Sequence, residues 1–135
     1  MFLYSYQSFV LTCLKKSKLM PIVIVHGISS QASQKNLKLS KELIVLTVSG
    51  IRELRVGKEQ VSVFFPRDLV LRGDKEVIIF VEGLLEKAER TDKVRNKLAE
   101  CLVKNVSKSL PEINLVECII KPLDPREGFY SLKKA

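Results

Sequence analysis

The chain of 135 residues has no tryptophan, a single histidine (His26) and three cysteines, Cys13, Cys101 and Cys118. Each scarcity excludes something. One histidine rules out a His-rich metal site within one subunit, and any catalytic triad would have to use His26. An odd number of cysteines, none at metal-ligand spacing, argues against a disulfide framework or a zinc site and for a reducing cytoplasm. No metal is expected. Acidic residues are absent before Glu42. No apolar run is long enough to span a bilayer.

What is present is the composition of one globular domain: 46% hydrophobic and 28% charged residues. The net charge is +8. A modest basic excess suits an anionic small molecule, nucleic acid or an acidic membrane surface, and it is also what a solvated basic surface looks like. Nucleic acid is the weakest of these, because clustered basic residues with interleaved aromatics are missing.

Residues 1–19 stand apart. Met1 to Leu14 is apolar and aromatic, and Lys15, Lys16 and Lys18 follow it without an acid. A secretory signal has its basic residues first. Val10-Leu11-Thr12-Cys13 has the outline of a lipoprotein cleavage box, but Thr12 fits poorly and the basic lead is missing. Two readings stand: a leader able to touch a membrane surface, or an extension ahead of a true start at Met20. The stretch Met20-Pro21-Ile22-Val23-Ile24-Val25-His26-Gly27 then organises the rest. If Met20 is the first residue and is removed, Pro21 carries a free secondary amine, which can act as a base. With residues ahead of it, Pro21 lies in an ordinary amide and cannot.

The remaining pattern is read in order. Ile22–Val25 predicts a strand buried on both faces. Ser33 or Ser40 can cap a helix, and apolar residues at 37, 44, 48 and 51 and at 39, 43, 46 and 54 extend that helix to Leu54, apolar over much of its girth. Val61–Phe65 alternates as a strand and stops at Pro66. Leu69–Lys75 is a connector with a Gly73-Asp74 turn. Val77–Val81 is a buried strand closed by Glu82-Gly83. Thr91-Asp92 starts an amphipathic helix along Val94, Leu98, Cys101, Leu102, Val106 and Leu110, ended by Pro111. Leu115–Ile120 is the last strand, stopped by Pro122.

An offset of 56 residues superposes the two halves without a gap. It places Gly27 on Gly83, Pro66 on Pro122 and Asp68 on Asp124. The expected fold is α+β: two tandem βαβ units, residues 21–68 and 77–124, forming one four-stranded mixed sheet with two helices on one face. The other face is apolar and bare, which predicts an oligomer.

A duplicated βαβ unit with Met20-Pro21 heading its first strand resembles the tautomerase superfamily in its long, two-unit form. Further motifs are Val61–Pro66, Glu82-Gly83 before the second helix, and Gly128-Phe129 near the end. The resemblance covers residues 20–130, so residues 20–135 read as a tautomerase-like domain. It implies a homotrimer, no cofactor, and Pro21 as the catalytic amine. A free α-amine titrates at about 7.7–8.0. Apolar walls and a nearby cation lower that value and leave a neutral base. Such a base moves a proton between a carbon beside a carbonyl and the enol, while a guanidinium holds the enolate or a carboxylate.

The family's basic residue near the end of the first helix falls on Arg52 or Arg55. Arg67 lies just past a strand end, and Arg90 follows Glu82-Gly83 in a loop of the second unit. Phe129 and Tyr130 are the aromatic candidates. Val77 stands where Pro21 stands in the first unit, so each chain offers one amine site. Two functions remain: a tautomerase or isomerase of a small, anionic carbonyl compound, or a non-catalytic oligomeric binding or interaction protein with the same fold. As bland alternatives, Pro21 simply begins a strand, Arg52, Arg55 and Arg67 are solvated, and Phe129 and Tyr130 seal a subunit contact.

Overall fold

The computed structural model describes residues 19–67, 70 and 75–134. The expectations for the leader, for Asp68 and for the Gly73-Asp74 turn lie outside them. The elements run β1 (Ile22–His26), α1 (Gln34–Gly50), β2 (Ser62–Phe64), β3 (Glu76–Leu85), α2 (Asp92–Ser109) and β4 (Leu115–Leu123). Two 3-10 turns, Arg52–Leu54 and Lys58–Gln60, connect α1 to β2. The strands form one sheet in the order β2-β1-β3-β4. Each outer strand is parallel to its own unit's first strand, and the two inner strands are antiparallel. This is the expected pair of βαβ units.

The helices begin where side chains satisfy free N–H groups. Ser33 Oγ accepts from Asn36 N, and Thr91 Oγ1 accepts from Val94 N. Both helices cover one face of the sheet. Val23, Val25, Val77, Ile79 and Val81 point up into Ile44, Val48, Leu98, Leu102 and Val106, and all ten are essentially shut off from water. Asn105 Nδ2 donates to Thr47 Oγ1 at 2.7 Å and ties the two helices together. The alternate residues, Ile22, Ile24, His26, Ile78 and Phe80, face the other way and are half-buried, with Phe64 and Ile119 exposed beside them. That face is the bare one the sequence predicted.

Five expectations are corrected. The first helix ends at Gly50, not Leu54. Ile51 and Leu54 remain in the core through the 3-10 turn that follows, which is why they kept the helical spacing. Only one apolar row of α1 is covered, since Leu39 and Leu46 are exposed, and Ser40 is a buried mid-helix residue rather than a cap. Glu82-Gly83 does not close β3. The strand runs on to Leu85 through a register shift between Val81 and Leu84, as an extra residue in one strand produces. Pro122 does not stop β4, which continues to Leu123. An edge strand pairs on one side only, so a proline costs it little.

The gapless repeat is also corrected. Ile22 pairs with Ser62, whereas its counterpart Ile78 pairs with Glu117, so the outer strands correspond at an offset of 55. Exposure agrees: Phe64 corresponds to Ile119, exposed by 55% and 43%. A one-residue slip turns every side chain to the opposite face. The caps Ser33 and Thr91 correspond at 58. The longer strand β3 ahead of α2 and the shorter connection after α2 nearly cancel, which made one offset look sufficient.

Candidate functional site

Parallel strands joined by a helix bring the head of β1, the exit of α1 and the start of β2 to the same end of the sheet. Pro21 stands there, buried, and its carbonyl accepts from Ser62 N at 3.1 Å. The Met20–Pro21 peptide is cis. Because β3 is antiparallel to β1, with Ile22 opposite Glu82, its far end also arrives beside Pro21. Gly83 has φ +72°, and a Cβ built on it would come within 2.6 Å of Met20 Sδ. Met20 therefore packs over the residue next to Pro21. In this chain Pro21 N belongs to a tertiary amide, with neither a proton nor a basic lone pair.

The turn Arg52–Leu54 and Arg55 belong to the same end, because they link α1 to the start of β2. Both guanidinium groups are exposed. Arg55 adopts a left-handed backbone, φ 52° and ψ 47°. Arg67 is placed apart: it lies beyond Phe64, at the opposite end of the sheet from Pro21 within one chain. Phe129 is half-buried and Tyr130 exposed. They follow the turn after β4, which ends at Pro21's end of the sheet but is the edge strand, two strands away from β1.

Arg90, the loop arginine of the second unit, is buried, and its guanidinium is occupied. Nε and Nη2 donate to Leu54 O at 3.2 and 2.6 Å, and Nη1 donates to Leu85 O at 2.7 Å. Burial lowers its pKa, and neighbouring Glu89 opposes that in part. Nothing in the sequence marked it as a backbone clamp. Its place just before the cap Thr91 was visible, but its acceptors lie five and 36 residues away.

Two cavities lie elsewhere. One, of about 350 Å³, is lined by Asp92, Arg95, Asn96, Ala99, Cys118 and Ile120 between α2 and β4. Burial pushes the Cys118 thiol up to about 12, so it is not a thiolate at neutral pH. The other, of about 300 Å³, is lined by residues that include His26, Glu76, Val77 and Glu117. It lies at the opposite end, around the counterpart of Pro21, where the second unit has valine. Among the described residues no three His, Cys, Asp or Glu are placed to hold a metal ion.

The architecture has close counterparts among solved structures. A member of the cis-3-chloroacrylic acid dehalogenase family superposes with a TM-score of 0.63 at 16% identity, over 77% of this chain and 76% of that one. This is the tautomerase-superfamily fold. A fused 4-OT wild-type symmetric trimer with the same fold gives a TM-score of 0.60 at 17% identity, over 77% of this chain and 86% of that one. FG41 malonate semialdehyde decarboxylase inhibited by 3-bromopropiolate gives 0.56 at 12% identity, over 84% and 92%. No protein-family model and no curated protein sequence matches the chain. Among the described residues no helix is long and apolar enough to cross a membrane.

Proposed function

We propose that this protein is a cofactor-free tautomerase or isomerase of a small, anionic carbonyl compound, acting in the cytoplasm as a homotrimer with a chain that starts at Pro21. The observation that carries the reading is the placement of Pro21. It heads a central strand, with the turn that carries Arg52 and Arg55 at the same end of the sheet. The fused 4-OT neighbour is a trimer by its own description. Here, the half-buried apolar sheet face gives a reason to assemble.

With Met20 gone, Pro21 N is a secondary amine. Burial among apolar residues disfavours its protonated form, leaving a neutral base to take a proton from the carbon beside the substrate's carbonyl. The same group returns the proton to the enolate oxygen, giving the enol, or in the reverse direction takes it from the enol oxygen and delivers it to that carbon. Arg52 or Arg55 pairs with the substrate's carboxylate or the developing enolate oxygen. Arg67 and the aromatics Phe129 and Tyr130 complete the site only if a second copy brings them to Pro21.

The second reading, a non-catalytic oligomeric binding protein, is favoured by one observation: Pro21 follows Met20, which fills the space over Gly83. The intact mass of the native protein separates the two. A mature chain beginning at Pro21 keeps the amine mechanism alive, and retention of residues 1–20 sinks it.

A further inference from the structure

Arg90 is the one charged side chain that is buried among the described residues, with 6% exposed. Among those residues no carboxylate forms an ion pair with it. A buried cation without a carboxylate in direct contact has to be held by hydrogen bonds, and here all three go to backbone carbonyls. Two of them grip one acceptor, Leu54 O. That carbonyl belongs to the peptide leading into Arg55, whose left-handed conformation is uncommon for a residue with a Cβ. The third bond, to Leu85 O, fixes the same guanidinium to the end of β3. The clamp thus spans the two units, and the turn it fixes carries Arg52 and Arg55 outward at Pro21's end.

We propose that Arg90 is a positioning residue: it locks the Arg52–Arg55 turn against the end of β3, so that two exposed guanidinium groups form one anion-binding edge beside Pro21. The proposal rests on the reading of that end of the sheet as the site. Arg90 itself does not touch the ligand, because it is buried and three of its five N–H groups are held by Leu54 O and Leu85 O. Lysine is only a partial substitute, since a single ammonium does not reproduce a fork that holds two carbonyls.

The test is the dissociation constant of phenylpyruvate, an anionic carbonyl probe, measured by titration calorimetry on the full chain. Binding needs no turnover, so it is independent of whether Pro21 has a free amine. Arg90→Met is expected to weaken binding about tenfold, the loss of roughly one charge-assisted bond. Arg90→Lys is expected to fall between that variant and the parent. In an Arg52→Ala, Arg55→Ala background, Arg90→Met is expected to cost nothing further, because the groups it positions are gone. Hydrogen exchange at the Leu54 and Arg55 amides, which bond Ile51 O and Arg52 O at 3.1 and 3.2 Å, should quicken while Val23 and Val25 stay protected.

An unchanged dissociation constant in folded Arg90→Met overturns the proposal. So does a further loss in the Ala–Ala background, or a parent chain that does not bind the probe. If Arg90→Met fails to fold, an unchanged constant in Arg90→Lys overturns it equally. A parent that binds phenylpyruvate without converting it, when it begins at Pro21, refutes the catalytic reading and leaves the positioning role standing on its own measurement.

Discussion

Met20 packs on Gly83 across the two central strands, and Glu76 meets Gly27 in the same way at the other end of the sheet. The two contacts are related by the internal repeat, since Met20 corresponds to Glu76 and Gly27 to Gly83. They differ in what a side chain on the glycine would meet. At Gly83 it is the flexible end of Met20, and at Gly27 the backbone carbonyl of Glu76. Both glycines have positive φ, +96° at Gly27 and +72° at Gly83.

Gly83→Ala is therefore expected to cost about 1 kcal/mol, the backbone strain alone, because Met20 can move aside. Gly27→Ala is expected to cost about 3 kcal/mol or more, because the strand itself has to shift. Urea unfolding of both variants checks the order, and equal costs would refute the account.

The proton-transfer reading makes Pro21 indispensable. A chain starting at Pro21 should tautomerise phenylenolpyruvate, with kcat/KM rising with pH as the amine loses its proton. Pro21→Ala should lower kcat/KM by about 100-fold or more. The chain that keeps Met20 should be inactive in the same assay. Activity indifferent to Pro21→Ala would reject the role.

Phe80 lies at the middle of the bare sheet face, with the His26 ring edge-on at 5.6 Å and Lys121 Nζ 5.5 Å from its ring centre. If that face is where copies meet, Phe80→Lys should shift the protein to monomer in light scattering. The variant should leave the helix signal in circular dichroism intact. An unchanged molar mass would place the contact elsewhere.

Cys118 should resist alkylation. Its thiol, pushed up to about 12 by burial, is neutral at pH 8, where an ordinary thiol of pKa about 8.5 is partly thiolate. The folded state holds that proton more tightly than the unfolded one. The resulting stability is fully present below about pH 8.5 and is lost as pH rises from there towards 12. Peptide mapping after iodoacetamide treatment should find Cys118 unmodified in the native protein and modified in urea.

Leu98 is fully buried between α2 and the sheet. Leu98→Ala should destabilise the fold by about 2–5 kcal/mol through lost contacts and the cavity left behind. The same change at exposed Leu46 should move the midpoint little. The small effect at Leu46 tests whether its row of α1 is uncovered.

The elements and their pairing into two units were written locally. A run of branched residues after Pro21 makes β1. Thr91 and the 4-3-1-4-4 spacing make α2, and the bare apolar face follows from two helices on a sheet apolar on both sides. Such patterns need only neighbours a few residues apart, so the sequence displays them. It also displayed Pro21 at the head of a strand. Tertiary structure decided what depends on contacts across the chain. It set the register of β4, one residue away from what the repeat suggested, and carried β3 through Glu82-Gly83. Strand direction put Arg52 and Arg55 at Pro21's end and Arg67 at the other, a separation no spacing along the chain could reveal. Arg90 read only as a loop arginine of the second unit. Two carbonyls, five and 36 residues distant, made it a buried clamp, because a guanidinium sealed from water has to satisfy its donors wherever the fold brings acceptors.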